Sequence, residues 1–110
     1  ALTSALRLVA SVDVAGEAGG GIAATEQAEA LQPDAVLMDL SMPDIDGIEA
    51  MRRIHRTRPD VPVVILTAHA DPGIEREALD AGAAGFLAKG TPLEDIVLVL
   101  HEAAETAEAF

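Results

Sequence analysis

The run Ala35-Val-Leu-Met-Asp-Leu-Ser-Met-Pro-Asp-Ile-Asp-Gly47 decides how this chain is read. Residues 35–40 form a short apolar stretch with one acid, Asp39, near its end, which reads as a strand buried on both faces. A carboxylate in the middle of such a strand would forfeit its hydration, so it is best tolerated where the strand emerges. Asp39 stands at that point. The turn after it is dense in breakers: Pro43 fixes one φ, Gly47 allows a close approach of backbone, and Asp46 is placed to cap the next helix. In parallel α/β sheets, ligands bind in the crevice beyond the carboxyl ends of the strands. Asp39 is therefore the first candidate for chemistry.

Outward from this run the pattern alternates. Leu2, Leu6 and Val9 mark one face of a helix over residues 1–10, and residues 12–15 read as a short strand. After a loop at Gly19-Gly20-Gly21, residues 22–31 form a helix poor in large apolar residues and halted by Pro33. Downstream of Asp39, Asp46 and Glu49 have the spacing of a capping box. They open a helix with Ile48, Met51 and Ile54 inward and Arg52, Arg53 and Arg56 toward water, ended by Pro59. Residues 61–67 read as a fully buried strand tipped by the hydroxyl of Thr67. Asp71 and Pro72 supply an N-cap and a first helical residue for a helix over 73–81, with Gly82 at C′. Residues 84–88 form a strand holding Phe86 and Leu87, followed by Lys89. Thr91-Pro92-Leu93-Glu94 is a capping box with Pro at N1, opening a last helix toward Ala104 or beyond. In that helix Leu93, Ile96, Val97, Leu100 and Ala104 make one stripe. Leu98 and Val99 widen it, which suggests a partner surface as readily as deeper burial. A helix followed by four strand–helix repeats gives an α/β fold, a doubly wound parallel sheet with helices on both faces.

The chain has 110 residues, enough for one domain with one core. It has no cysteine, which excludes disulfides and thiolate chemistry. No apolar stretch approaches the ~20 residues that span a bilayer, so a soluble cytoplasmic protein without membrane contact is expected. Nineteen acids against seven bases give a net charge of −12, which argues against this chain itself gripping nucleic acid. Lys89 is its only lysine.

Asp39, Thr67 and Lys89 each stand at or just past a predicted strand end, so all three should meet on one rim of the sheet. Singly, each has a plain reading: a turn acid, a β-prone threonine, a solvated lysine. Jointly they suit phosphoryl transfer, with the carboxylate as nucleophile, the ammonium neutralising phosphoryl oxygens and the hydroxyl donating to one of them.

At this point the chain resembles a known family. Residues 36–49, Val63-Val-Ile-Leu-Thr-Ala68 and Ala81-Gly-Ala-Ala-Gly-Phe-Leu-Ala-Lys89 are similar to the receiver domain of bacterial two-component response regulators, nearest to the NarL/FixJ-like subfamily with a LuxR-type helix-turn-helix output. The resemblance implies a flavodoxin-like receiver fold over residues 1–110, with no output domain in this chain. It implies that Asp39 accepts a phosphoryl group from a sensor histidine kinase, with Mg²⁺ held by Asp39 and the backbone carbonyl of Ser41. Thr67 and Lys89 match the switch hydroxyl and the phosphate-pairing lysine, and Phe86 the aromatic switch position. His69 matches a position that tunes dephosphorylation, although an exposed loop histidine is its more frequent role. Implied partners are the kinase, a second copy on phosphorylation, and DNA only through an output domain outside this chain. The catalysis implied is at most the domain's own phosphorylation and dephosphorylation.

One departure bears on the metal. Receivers begin with a strand ending in an acidic pair, and the chain starts after that point, which reads as an N-terminally incomplete receiver domain. Mg²⁺ demands near-octahedral oxygen ligation, and Asp39 with one carbonyl is a poor site. The rival reading is a pseudo-receiver that mediates protein contacts without phosphorylation. Asp44-Ile-Asp-Gly47 also resembles part of the nucleophile motif of haloacid-dehalogenase-like phosphatases, but Asp44 lies beyond the strand end where that motif should start. Read as a calcium loop, the same acids lack the glutamate at the twelfth position.

Overall fold

The computed structural model describes residues 20–40, 44–68 and 71–108. The expected helix over 1–10 and strand over 12–15 lie outside these residues, as do Ser41 and His69. The described elements run α1 (Gly21–Leu31), β1 (Val36–Asp39), α2 (Gly47–Thr57), β2 (Val63–Thr67), α3 (Pro72–Asp80), β3 (Gly85–Ala88) and α4 (Leu93–Glu108). The strands form a parallel sheet in the order β1-β2-β3. Met38 lies opposite Ile65, and Ile65 in turn opposite Phe86.

The central strand is the anchor. All five residues of β2 are buried, and Val63, Val64 and Ile65 are fully so. Each such side chain contributes about 1.5–3 kcal/mol when taken out of water. The strand starts two residues later than expected. Val61 is in a turn, donating to the Arg58 carbonyl, and Pro62 has no N–H to give a ladder, although its carbonyl accepts from Val36.

The strand carrying Asp39 differs from its expectation. Only Met38 of β1 is buried, and Val36, Leu37 and Asp39 are half-buried. A short apolar run has the same look whether a strand is covered on two faces or on less, so the sequence could not separate the cases.

α2 packs as predicted, with Gly47, Ile48, Ala50, Met51 and Ile54 buried. Asp46 caps it by accepting from the Glu49 N–H at 2.8 Å, while the Glu49 carboxylate lies 3.7 Å from Arg53. α3 is capped by Asp71, which accepts from Gly73 at 2.7 Å. Its end is a Schellman motif: Ala83 donates to the Ala78 carbonyl and Gly82, at φ 112°, to that of Leu79.

α4 begins one residue later than the capping box implied. Asp95 and Ile96 donate to the Pro92 carbonyl, and the Thr91 hydroxyl turns back to donate to the Ala88 carbonyl at 2.6 Å. Of its apolar stripe only Ile96 is buried, while Leu98 is 55% exposed. Gly85 lets α4 approach β3, since a Cβ there would stand 3.2 Å from the Val99 side chain.

Candidate functional site

The three strands end on one rim. Asp39 is the last residue of β1 and lies opposite Leu66, while Thr67, the last of β2, lies opposite Ala88, the last of β3. The backbone ladder continues past both ends: Leu40 donates to the Leu66 carbonyl at 3.0 Å and Lys89 to the Thr67 carbonyl at 2.7 Å. That second bond fixes where the lysine leaves the sheet. Lys89 Nζ then reaches Asp39 Oδ2 at 2.7 Å, across the whole width of β2. Both side chains of the pair are over a third exposed, so it contributes little to stability, roughly 0–1 kcal/mol. Its consequence is geometric, since an ammonium is held against the carboxylate that would receive a phosphoryl group.

Thr67 is 2% exposed. Among the described residues, no buried side-chain nitrogen or oxygen lacks a hydrogen-bond partner, so its hydroxyl is satisfied. Phe86 is half-buried and packs against the core cluster.

Asp39 is also constrained from behind. A Cβ on Gly47 would stand 2.6 Å from the Asp39 carbonyl oxygen and 2.9 Å from Leu40 Cα. Only glycine fits there. The Gly47 N–H donates to the Leu40 carbonyl at 3.0 Å, closing the loop that leaves Asp39.

The acids of that loop are caps. Asp46 caps α2. Asp44 reaches across to α1, accepting from the Gly21 N–H at 2.7 Å and the Ile22 N–H at 3.0 Å, and from Ile45 at 2.8 Å. These backbone donors, led by Ile22 and followed by Ile45 and Gly21, hold the Asp44 carboxyl below its ordinary range. Neither acid is the nucleophile or calcium ligand that the Asp44-Ile-Asp-Gly47 run could suggest. The sequence reading missed this role of Asp44. The available signal was indirect: α1 opens within a run of three glycines and brings no capping side chain of its own.

For a divalent cation the described residues offer Asp39 as an oxygen donor. Among them no group of three or more His, Cys, Asp or Glu side chains is gathered to hold a metal ion. They do not by themselves satisfy the octahedral set that Mg²⁺ requires.

Comparison with known proteins bears on the family and the fold. The family described as the response regulator receiver domain matches residues 1–101. The response regulator GacA of Pseudomonas viridiflava is 40% identical over 102 residues, covering 90% of this chain and 48% of that protein. The response regulator UvrY of Escherichia coli K12 is 39% identical over 93 residues, covering 84% and 43%. The chain thus spans about half the length of the curated relatives it matches. Among solved structures, the signal receiver domain of the response regulator NarL from Mycobacterium tuberculosis superposes with a TM-score of 0.89 at 38% identity, covering 94% of this chain and 84% of that one. The response regulator domain of Thermotoga maritima CheB gives 0.85 at 28% identity, covering 94% and 85%.

Proposed function

The chain belongs to the response regulator receiver domain family, and from that premise we propose that it is a phosphoacceptor switch in two-component signalling, with Asp39 as the residue phosphorylated. The observation that carries this reading is the 2.7 Å pair between Lys89 Nζ and Asp39 Oδ2, formed at the rim where Thr67 ends the neighbouring strand. The donor is a phosphohistidine of a sensor kinase. An Asp39 carboxylate oxygen attacks phosphorus, the P–O bond forms as the P–N bond breaks, and the departing imidazole takes a proton from solvent.

Lys89 would then move from the carboxylate to the phosphoryl oxygens, and the Thr67 hydroxyl would donate to one of them. The added charge of about −1.5 to −2 falls between those two groups. Withdrawal of Thr67 toward it gives Phe86 room to turn inward, a shift between two packings of β3 and the helices beside it.

Mg²⁺ belongs to the same reading, with Asp39 and the carbonyl of Ser41 as ligands from this chain. The described residues do not by themselves complete its site. Residues 1–110 would act as one receiver domain in the cytoplasm, pairing with a second copy when phosphorylated and acting on DNA only through an output domain outside the chain. Its catalysis would be confined to its own phosphorylation and dephosphorylation.

Borohydride trapping tests the assignment. Reduction of an aspartyl phosphate leaves homoserine, so peptide mapping after treatment with a phosphodonor should find homoserine at position 39. Homoserine at another position, or none, would remove Asp39 from the role, and none at all would favour a contact module that works without phosphorylation.

A further inference from the structure

Resting on that phosphoacceptor reading, we propose that Asp44 is a positioning residue for the reaction at Asp39: its carboxylate fastens the loop leaving Asp39 to the N-terminus of α1 and so fixes how Asp39 is presented. Three observations carry it. The carboxylate accepts two N–H groups of α1, from Gly21 and Ile22, across more than twenty residues of sequence. α1 has no cap of its own, because Gly20 stands at the N-cap position and its first turn holds no acid. The seat is also built to fit. Gly20 and Gly21 are both buried. A Cβ on Gly20 would lie 3.1 Å from both Asp44 carboxylate oxygens, and one on Gly21 would meet the Ile45 side chain and stand 3.0 Å from the Ile45 carbonyl.

Besides the Asp46 cap on α2, two ties among the described residues hold this loop. At one, Gly47 closes onto Leu40 and the Asp39 carbonyl. At the other, an anion occupies a helix N-terminus through charge-assisted bonds, where the helix dipole favours it. α1 is in turn seated on the core through Ala28, with Ala24 packed against it. Release of Asp44 removes the tie to α1 and widens the directions from which Asp39 can meet the donor. Small misplacements of a reacting group cost rate steeply.

The test is the initial rate of phosphoryl uptake from acetyl phosphate. In that reaction the Asp39–phosphorus bond forms, the bond from phosphorus to the acetate oxygen breaks, and acetate leaves. Wild type would be compared with Asp44→Ala, Asp44→Asn and Ala78→Gly, with amide exchange at Gly21 and Ile22 followed in each. Ala78 is the buried residue of α3, so Ala78→Gly loosens that helix from the core and leaves α1 and its cap untouched. We expect Asp44→Ala to slow uptake roughly tenfold and to speed exchange at both amides. Asp44→Asn, which keeps an acceptor oxygen without the charge, should fall between, and Ala78→Gly should keep the wild-type rate.

A wild-type rate in Asp44→Ala overturns the proposal, and so does equal slowing in Ala78→Gly. If Asp44→Ala does not fold, an unchanged rate in Asp44→Asn overturns it instead. Failure of wild type to take up any phosphoryl group with Mg²⁺ present, both as this chain and in a form extended upstream, would strike the phosphoacceptor reading itself. Normal uptake with an indifferent Asp44 would leave that reading standing and end this one alone.

Discussion

The two strands that meet at the site are built differently. β2 is buried at all five positions, whereas β1 buries only Met38. The helices beside them repeat the contrast: α2 buries five residues and α1 two, Gly21 and Ala28. The proposed nucleophile thus stands on the loosely held strand. Its intended partners stand on firmer ground, with Thr67 on β2 and Lys89 tied by its own N–H to the Thr67 carbonyl. Side-chain burial cannot hold Asp39 in place. The described ties around it are the Gly47–Leu40 closure and the Asp44 cap on α1.

The contrast breaks or sharpens at definite points. Ile65→Ala in β2 should cost about 2–5 kcal/mol by urea denaturation, while Leu37→Ala in β1 should cost about 1–2 kcal/mol. Equal losses would mean that the strands are not held differently. Gly47→Ala should cost about 1–3 kcal/mol through overpacking against Asp39 and Leu40, although alanine is the better helix former. A stabilised Gly47→Ala would show that the close approach is not required.

Asp46→Ala should cost about 0.5–2 kcal/mol by the loss of the cap on α2. For Asp44 the direction of the pH effect is fixed. Its carboxyl is held low in the folded chain, so the stability it adds over Asp44→Asn is present above the ordinary aspartate value and disappears as pH falls through the lowered one. A difference that grows with acidity would contradict the cap. Arg53→Ala, which removes the exposed pair with Glu49, should cost the least, about 0.3–0.5 kcal/mol.

Much of this was legible in the sequence. Alternating apolar runs, Asp71-Pro72, Gly82 and Asp46 located the described elements to within two residues, because turn and cap chemistry is local. Asp39, Thr67 and Lys89 were legible as a set since each follows its strand, and strand ends in a parallel sheet share a rim. The partial exposure of β1 was not legible, because it depends on what covers the strand and not on its own residues. The role of Asp44 was hidden for a related reason: three glycines show that α1 needs a cap, but not which distant residue supplies it. The late start of β2 could have been anticipated from Pro62, which has no N–H to offer.

Receipt of a phosphoryl group by Asp39, between Lys89 and Thr67, can be followed directly. Its most direct test is intact mass after incubation with acetyl phosphate, with and without Mg²⁺, for the 110-residue chain, a form extended upstream, and Asp39→Asn. A gain of one phosphoryl group that requires Mg²⁺ and is absent from Asp39→Asn is expected. An equal gain by Asp39→Asn, or no gain by the chain in either length, would contradict it.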